Sequence, residues 1–166
     1  MSHQLKSKRL KFRAFERSDA ERLAFLLNDI EISRGIGPMP HPYTIQMAHE
    51  YLDEISADLR TFALEYDDAL AGAIGFNSML GFWLAPTLWG QGIITEAATV
   101  MIGDHFGRGC KDLASAFHDK NVASARVHEK LGFRPNGSSQ VYSKALARDF
   151  LRYDLILSST DWEARA

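Results

Sequence analysis

The chain predicts a mixed α+β fold: a mostly antiparallel sheet with one parallel pair near its centre, flanked by about four helices. Three observations predict it. Several short segments alternate apolar and polar residues with a period of two, and others repeat apolar residues every three or four positions. The later part of the chain runs strand, helix, strand, helix, an order that sets two strands parallel. Of 166 residues, 46% are apolar and 24% charged. That mixture and length suit a single domain over residues 1–166, burying roughly 70% of its unfolded surface.

The elements follow in order. "RLKFRAF" sets Leu10, Phe12 and Ala14 against Arg9, Lys11 and Arg13, the pattern of a half-buried strand. Ser18-Asp19-Ala20-Glu21 has capping-box spacing, and Leu23, Leu26, Leu27 and Ile30 share one helical face behind it. "RGIGPMPHPYT", Arg34 to Thr44, is rich in proline and glycine and predicts a loop. Thr44 caps a second helix, with Met47, Tyr51 and Ile55 along it. "TFALEY" and "LAGAIGF" flank Asp67-Asp68 as a hairpin, and "MLGFWLAP" is a strand stopped by Pro86. A helix from about Gly92 to Phe106 comes next, then "KDLASAFHD" as a strand and "NVASARVHEKLGF" as a helix closed by Gly132. "QVYSKALARDFLRYDLILS" supplies the final strand pair.

Composition narrows the function. The net charge is −2 and no basic stripe stands out, which argues against direct binding to nucleic acid. The basic opening "SHQLKSKRLKF" runs into a strand and reads as a solvated edge. Cys110 is the only cysteine, so there is neither an internal disulfide nor a thiolate metal cluster, and a reducing cytoplasm suits the chain. No apolar run approaches the ~18 residues of a membrane span, and no export signal opens the sequence.

"LWGQGIITEA" places Gly90 and Gly92 where a strand end meets a helix start. Backbone N–H groups and the macrodipole make such a point attractive to phosphate, and glycine keeps side chains out of the way. A tight turn without a ligand explains the same two residues. No Gly-Lys-Ser/Thr follows, and Thr95 stands where a dinucleotide turn has its third glycine, so neither nucleotide motif fits.

"FWLAPTLWGQGIITEA", followed by "NVASARVHEKLGF", resembles the GNAT superfamily of acetyltransferases in its RimJ/RimL-type branch. The opening "KRLKFRAFERSDAERLAFLLND" resembles the first strand and helix of that branch, so the resemblance spans nearly the whole chain. It implies the GNAT acyl-CoA N-acyltransferase fold, with the central parallel strands splayed apart. By the same resemblance, Trp89, Gly90, Gln91, Gly92, Ile93, Ile94 and Thr95 cradle the pyrophosphate of acetyl-CoA. Leu84 pairs with the pantetheine arm, and Asn121 holds the cofactor near its thioester. Acetyl-CoA is then a co-substrate, no metal takes part, and the branch often forms homodimers.

The acceptor implied is a primary amine, either a protein N-terminus or a small molecule. An alkyl amine has a pKa near ~10.4, so a proton must leave before attack, and the departing thiolate needs a proton or a positive dipole. The resemblance assigns the thiolate to Ser124. His128 stands where many GNAT enzymes have tyrosine and is a candidate general acid near neutral pH, and His118 at the end of the fifth strand is a candidate proton acceptor. Plainer readings compete at each: a first-turn helix serine, a histidine packed against the sheet, and an exposed turn histidine. Ser143 occupies the place where some of the branch carry a carboxylate base, which leaves open a second reading, a CoA-binding sensor or scaffold with little transferase activity.

Overall fold

Seven strands form one sheet in the order β1-β2-β3-β4-β5-β7-β6, in a computed structural model that describes residues 5–36, 39–55 and 60–165. They are β1 (Lys11–Arg13), β2 (Thr61–Tyr66), β3 (Ala69–Asn77), β4 (Met79–Leu84), β5 (Asp112–His118), β6 (Arg134–Ser143) and β7 (Arg148–Ser158). Every neighbouring pair is antiparallel except β4 with β5. The helices are α1 (Ala20–Leu27), α2 (Ile30–Ser33), α3 (Ile45–Ile55), α4 (Ile93–Gly107), α5 (Val122–Leu131) and α6 (Ser159–Glu163). The mixed sheet with one parallel pair is the predicted architecture. Four of the helices reach eight residues, while α2 and α6 are single short turns. No helix among the described residues is long and apolar enough to cross a membrane.

Alternation along each strand splits the apolar side chains into two layers. Phe12, Leu64, Leu80, Leu84, Leu113, Leu155 and Leu157 face α4 and α5, where they meet Ile93, Ala97, Met101, Ile102 and Leu131. Their sequence neighbours Ala63 and Leu70 face the other way with Trp83, against Leu23, Leu27, Ala48 and Leu52 of α1 and α3. The sequence of α4 is rich in β-branched residues, each costing up to ~0.7 kcal/mol in helix propensity relative to alanine. Burial of Ile93, Met101 and Ile102, at roughly 1.5–3 kcal/mol each, outweighs that cost. Packing, not local preference, makes this segment helical.

Several boundaries differ from the sequence reading. The capping box lies two residues earlier than Ser18 and Glu21: Glu16 and Asp19 cap each other, and Asp19 also takes both forks of Arg13, at 2.8 Å each. Burial pushes the Asp19 carboxyl up, but those Arg13 bonds and the Glu16 N–H outweigh it and leave the carboxyl below its ordinary value. Ile30 does not extend the face of α1. Asn28 is engaged by the Tyr43 N–H, and Asp29 caps a new helix through the Glu31 N–H. In α3 the buried stripe is Ala48 and Leu52, with Met47, Tyr51 and Ile55 beside it. Thr44 does accept the Met47 N–H, at 3.3 Å. The predicted loop from Arg34 to Thr44 has no regular element among its described residues, and Gly37 and Pro38 lie outside them. β6 begins at Arg134, ahead of the predicted Gln140, because an irregularity between Pro135 and Ser138 lets it resume pairing with β7.

At the centre of the sheet, β4 and β5 meet at one registered pair, Leu80 with Ser115. Beyond it, β4 continues to Leu84 and β5 to His118 with no further mutual pairing among the described residues. The strands part toward their C-terminal ends. Both are followed by a helix.

Candidate active site at two helix starts

The connection from β4 to α4 builds the first half of the site. After Leu84 a 3-10 turn, Pro86–Leu88, leads into Trp89, and the chain then turns through Gly90 at φ 73° and Gly92 at φ 72°. A Cβ on Gly90 would have nothing within 4 Å, and one on Gly92 only Arg9 Nη2 at 3.9 Å. Packing therefore does not demand glycine here. The left-handed backbone does, and it leaves the space before the helix open. Gly92 caps α4 without a side-chain bond. The N–H groups of Ile93, Ile94 and Thr95 have no protein partner among the described residues. The loop is tied from behind instead. Trp89 Nε1 donates to the Leu84 carbonyl at 2.7 Å, Gln91 Nε2 to Thr87 O at 3.1 Å, and Arg9 Nη1 to Gln91 O at 3.1 Å.

The second half sits where β5 meets α5. Asn121 accepts the Ser124 N–H at 3.1 Å, capping the helix with its own side chain. Ser124 Oγ lies 3.4 Å from His128 Nδ1, which is 2.8 Å from the Ser124 carbonyl. His128 Nε2 is 2.7 Å from Ser115 Oγ, whose other contact is Leu80 O at 2.8 Å. The ring is only 2% exposed, and it is surrounded by Phe82, Phe117 and Phe133 with centroids 5.3, 6.0 and 5.2 Å away. Burial lowers its pKa, opposed by the bond to the Ser124 backbone. The imidazole is neutral at pH 7. With Nδ1 donating to the Ser124 carbonyl, Nε2 of the neutral ring accepts, so Nε2 and Leu80 O compete for the single Ser115 hydroxyl proton. Ser115 and His128 thus clip α5 to the point where the strands part.

His118 looks the other way. It shares strand parity with Ala114 and Ala116, opposite Leu113, Ser115 and Phe117, and so faces the α1 and α3 side together with Trp83. Its ring packs 4.0 Å from that of Phe150, and its Nδ1 is buried without a hydrogen-bond partner among the described residues. Burial is the largest influence on its pKa and lowers it, while the Arg34 backbone pulls the other way. The neighbouring segment crosses Asn121, since a Cβ on Gly35 would stand 3.3 Å from Asn121 Nδ2.

The structure therefore gathers Asn121, Ser124 and His128 on one helix face and sets Trp89 to Thr95 at the end of β4, with His118 beneath on the opposite face of the sheet. Leu84 is 5% exposed, and its carbonyl is taken by Trp89. Ser143 is fully buried, and its hydroxyl caps the β6–β7 turn through the Leu146 N–H at 3.2 Å. A cavity of about 460 Å³ between α4, α5 and α6, lined by Thr95, Lys130 and Trp162 among others, reaches the glycine loop only at Thr95. Two participants were missed in the sequence. Ser115 had a signal, a hydroxyl at a core-facing position of an alternating strand. Arg9, read as a solvated edge, had none, because its partners lie more than eighty residues away.

Residues 9–134 match the family described as Acetyltransferase (GNAT) domain. The chain belongs to this family. A relative, Putative ribosomal N-acetyltransferase YdaF of Bacillus subtilis (strain 168), is 27% identical over an alignment covering 91% of this chain and 92% of its own. Among solved structures, an acetyltransferase (GNAT family) from Bacillus anthracis has a TM-score of 0.80 at 21% identity, covering 93% of this chain and 97% of that one. The microcin C7 self immunity acetyltransferase MccE, solved in complex with acetyl-CoA and AMP, has a TM-score of 0.80 at 17% identity, covering 93% and 98%. At such identities the structural likeness establishes the fold. The family match establishes the enzyme class, an N-acetyltransferase.

Proposed function

We propose that the chain acts as one domain that transfers acetyl from acetyl-CoA to a primary amine, by direct attack of the amine on the thioester. One observation carries the reading: an uncapped helix start with left-handed Gly90 and Gly92 at the end of a strand that has parted from its parallel neighbour. The open N–H groups suit the pyrophosphate, with Trp89 to Thr95 as its cradle. The parted stretch of β4 up to Leu84 suits the extended pantetheine arm, and Asn121 lies where that arm would end. The acceptor is a protein N-terminus or a small-molecule amine. The name of the Bacillus subtilis relative favours the former, and a lone exposed Cys110 suits a reducing cytoplasm.

In this mechanism the amine approaches from the α1 and α3 side and its proton passes toward His118, whose buried Nδ1 has no hydrogen-bond partner among the described residues and whose neutral form burial favours. The amine nitrogen bonds to the thioester carbon, a β4 backbone N–H steadies the oxyanion, and the C–S bond breaks. Ser124 donates a hydrogen bond to the thiolate, which takes the second proton released by the amine. His128, shielded from solvent, acts by holding α5 and Ser124 in place.

Calorimetric titration with acetyl-CoA, followed by thiol release with a panel of N-terminal peptides, polyamines and amino sugars, tests the proposal. Binding with acceptor-dependent release is expected. Binding without release for any amine would overturn the transfer and favour a CoA sensor, a reading that the absence of a carboxylate at Ser143 would then explain. Failure to bind would overturn the cradle.

A further inference from the structure

The N-terminal segment reaches across the sheet to the start of α4. Arg9 donates its backbone N–H to Glu96 Oε1 at 2.9 Å and its Nε to Glu96 Oε2 at 2.7 Å, while Nη1 holds the Gln91 carbonyl at 3.1 Å. One guanidinium thus bridges the loop and the first turn of the helix behind it. Glu96 in turn donates its own N–H to Gly92 O at 3.0 Å.

Two physical consequences follow for an anion at this point. A peptide unit is planar and trans, so a Gln91 carbonyl drawn toward Arg9 sends the Gly92 N–H out of the opposite edge of the same plane, away from the guanidinium. The bond to Arg9 thereby sets the direction of a donor in the glycine loop. Glu96 raises the opposite problem. A carboxylate in the first turn of a helix is itself favoured by the macrodipole and repels a second anion arriving there. Burial pushes this carboxyl up, yet the bonds from Ser7 and Arg9 outweigh it, so Glu96 is ionised at neutral pH. Its charge lies next to the proposed phosphate site and needs a counter-charge.

We propose that Arg9 is a positioning residue for the diphosphate of the co-substrate, cancelling the Glu96 charge and aiming the Gly92 N–H by holding the Gln91 carbonyl. The inference rests on the cradle reading above. It makes a prediction that a purely structural ion pair does not: the part of the harm that comes from the exposed Glu96 charge should be undone by removing that charge as well, while the part that comes from the freed Gln91 carbonyl should remain.

The experiment compares CoA affinity, by calorimetry, for the wild-type protein, Arg9→Met, Glu96→Gln and the double variant. Since both partners are partly solvated, Arg9→Met should weaken CoA by roughly tenfold, and more at low salt than at high. Glu96→Gln removes the repelling charge and should leave CoA affinity at the wild-type value or up to about threefold tighter, and the double variant should regain most of the Arg9→Met loss, falling short of Glu96→Gln by the share that aiming the Gly92 N–H contributes. Turnover with acetylpantetheine, which carries no diphosphate, should fall by a smaller factor in Arg9→Met than CoA affinity does. If Arg9→Met does not fold, Arg9→Lys keeps the charge but cannot bridge both partners, and should fall between wild type and the expected loss. Wild-type binding with no loss in the Arg9 variant, a double variant as weak as Arg9→Met, or an equal loss with acetylpantetheine would each overturn the role of Arg9. Absence of CoA binding in the wild type would instead remove the cradle itself.

Discussion

The starts of α4 and α5 stand side by side at the ends of the two parallel strands, yet they are finished in opposite ways. α4 begins on a left-handed glycine with no side-chain cap, and its first N–H groups meet no protein acceptor among the described residues. α5 begins on Asn121, whose side chain closes onto the Ser124 N–H. The difference teaches how one fold divides its labour. A helix start left open offers backbone donors to an incoming anion, whereas one closed by its own side chain fixes the following turn and so fixes the direction of Ser124.

Filling the open start is the most severe way to break the contrast. The double variant Gly90→Val, Gly92→Val should lower CoA affinity by ~100-fold or more, because side chains then occupy the approach to the N–H groups. Both sites have room for a side chain, so the structural cost is backbone strain of about 1–2 kcal/mol at each, or roughly 5–15 °C in Tm. Retained CoA binding in a folded double variant would remove the cradle.

The next effect separates the two faces of the parted strands. His118→Gln should reduce kcat by ~100-fold at unchanged CoA affinity, and Ser124→Ala by roughly tenfold, since the first loses a proton acceptor and the second one charge-assisted hydrogen bond. The pH dependence has a defined sign. Both His118 and His128 have folded-state pKa values lowered from 6.5, so each contributes stability that is full above pH 6.5 and lost as the pH falls through the folded value. The kcat of the wild type should carry an acid limb in the same range, and this limb should vanish in His118→Gln. An unchanged pH–rate profile in that variant would exclude His118 as the base.

The smallest effect comes from opening the closed start. Asn121→Ala should cost about 1 kcal/mol, or ~2–4 °C in Tm, through the lost cap. A rise in KM for acetyl-CoA larger than that loss explains would mark Asn121 as a contact of the co-substrate as well as a cap.

Much of this was legible in sequence because periodicity is local. The parallel pair, the glycine loop and the face shared by Asn121, Ser124 and His128 all follow from spacing within one or two elements. Packing of His128 against the sheet was one of two readings open in sequence, but its aromatic cage was not legible, because Phe82, Phe117 and Phe133 come from three separate segments. The orientation of His118 was implicit in strand parity, but its approach to Arg34 depends on a loop whose path sequence does not dictate. The capping box differs from the sequence reading because Glu16 and Asp19 have the same spacing as Ser18 and Glu21, and a partner on the preceding strand, Arg13, favours Asp19. Arg9 was invisible because its partners, Gln91 and Glu96, lie more than eighty residues away.

The parting of β4 from β5 gives the sheet an extra pair of edges in its interior. Unpaired strand edges ordinarily invite other chains and are a common starting point for aggregation. Here α4 and α5 cover one face and α1 and α3 the other, so the parted edges lie between two helical layers. Covered on both faces, such edges exclude a folded neighbour. In the proposed reading they admit a slender arm with amide groups at strand-like intervals, and the danger of an open edge then becomes selectivity for one kind of visitor.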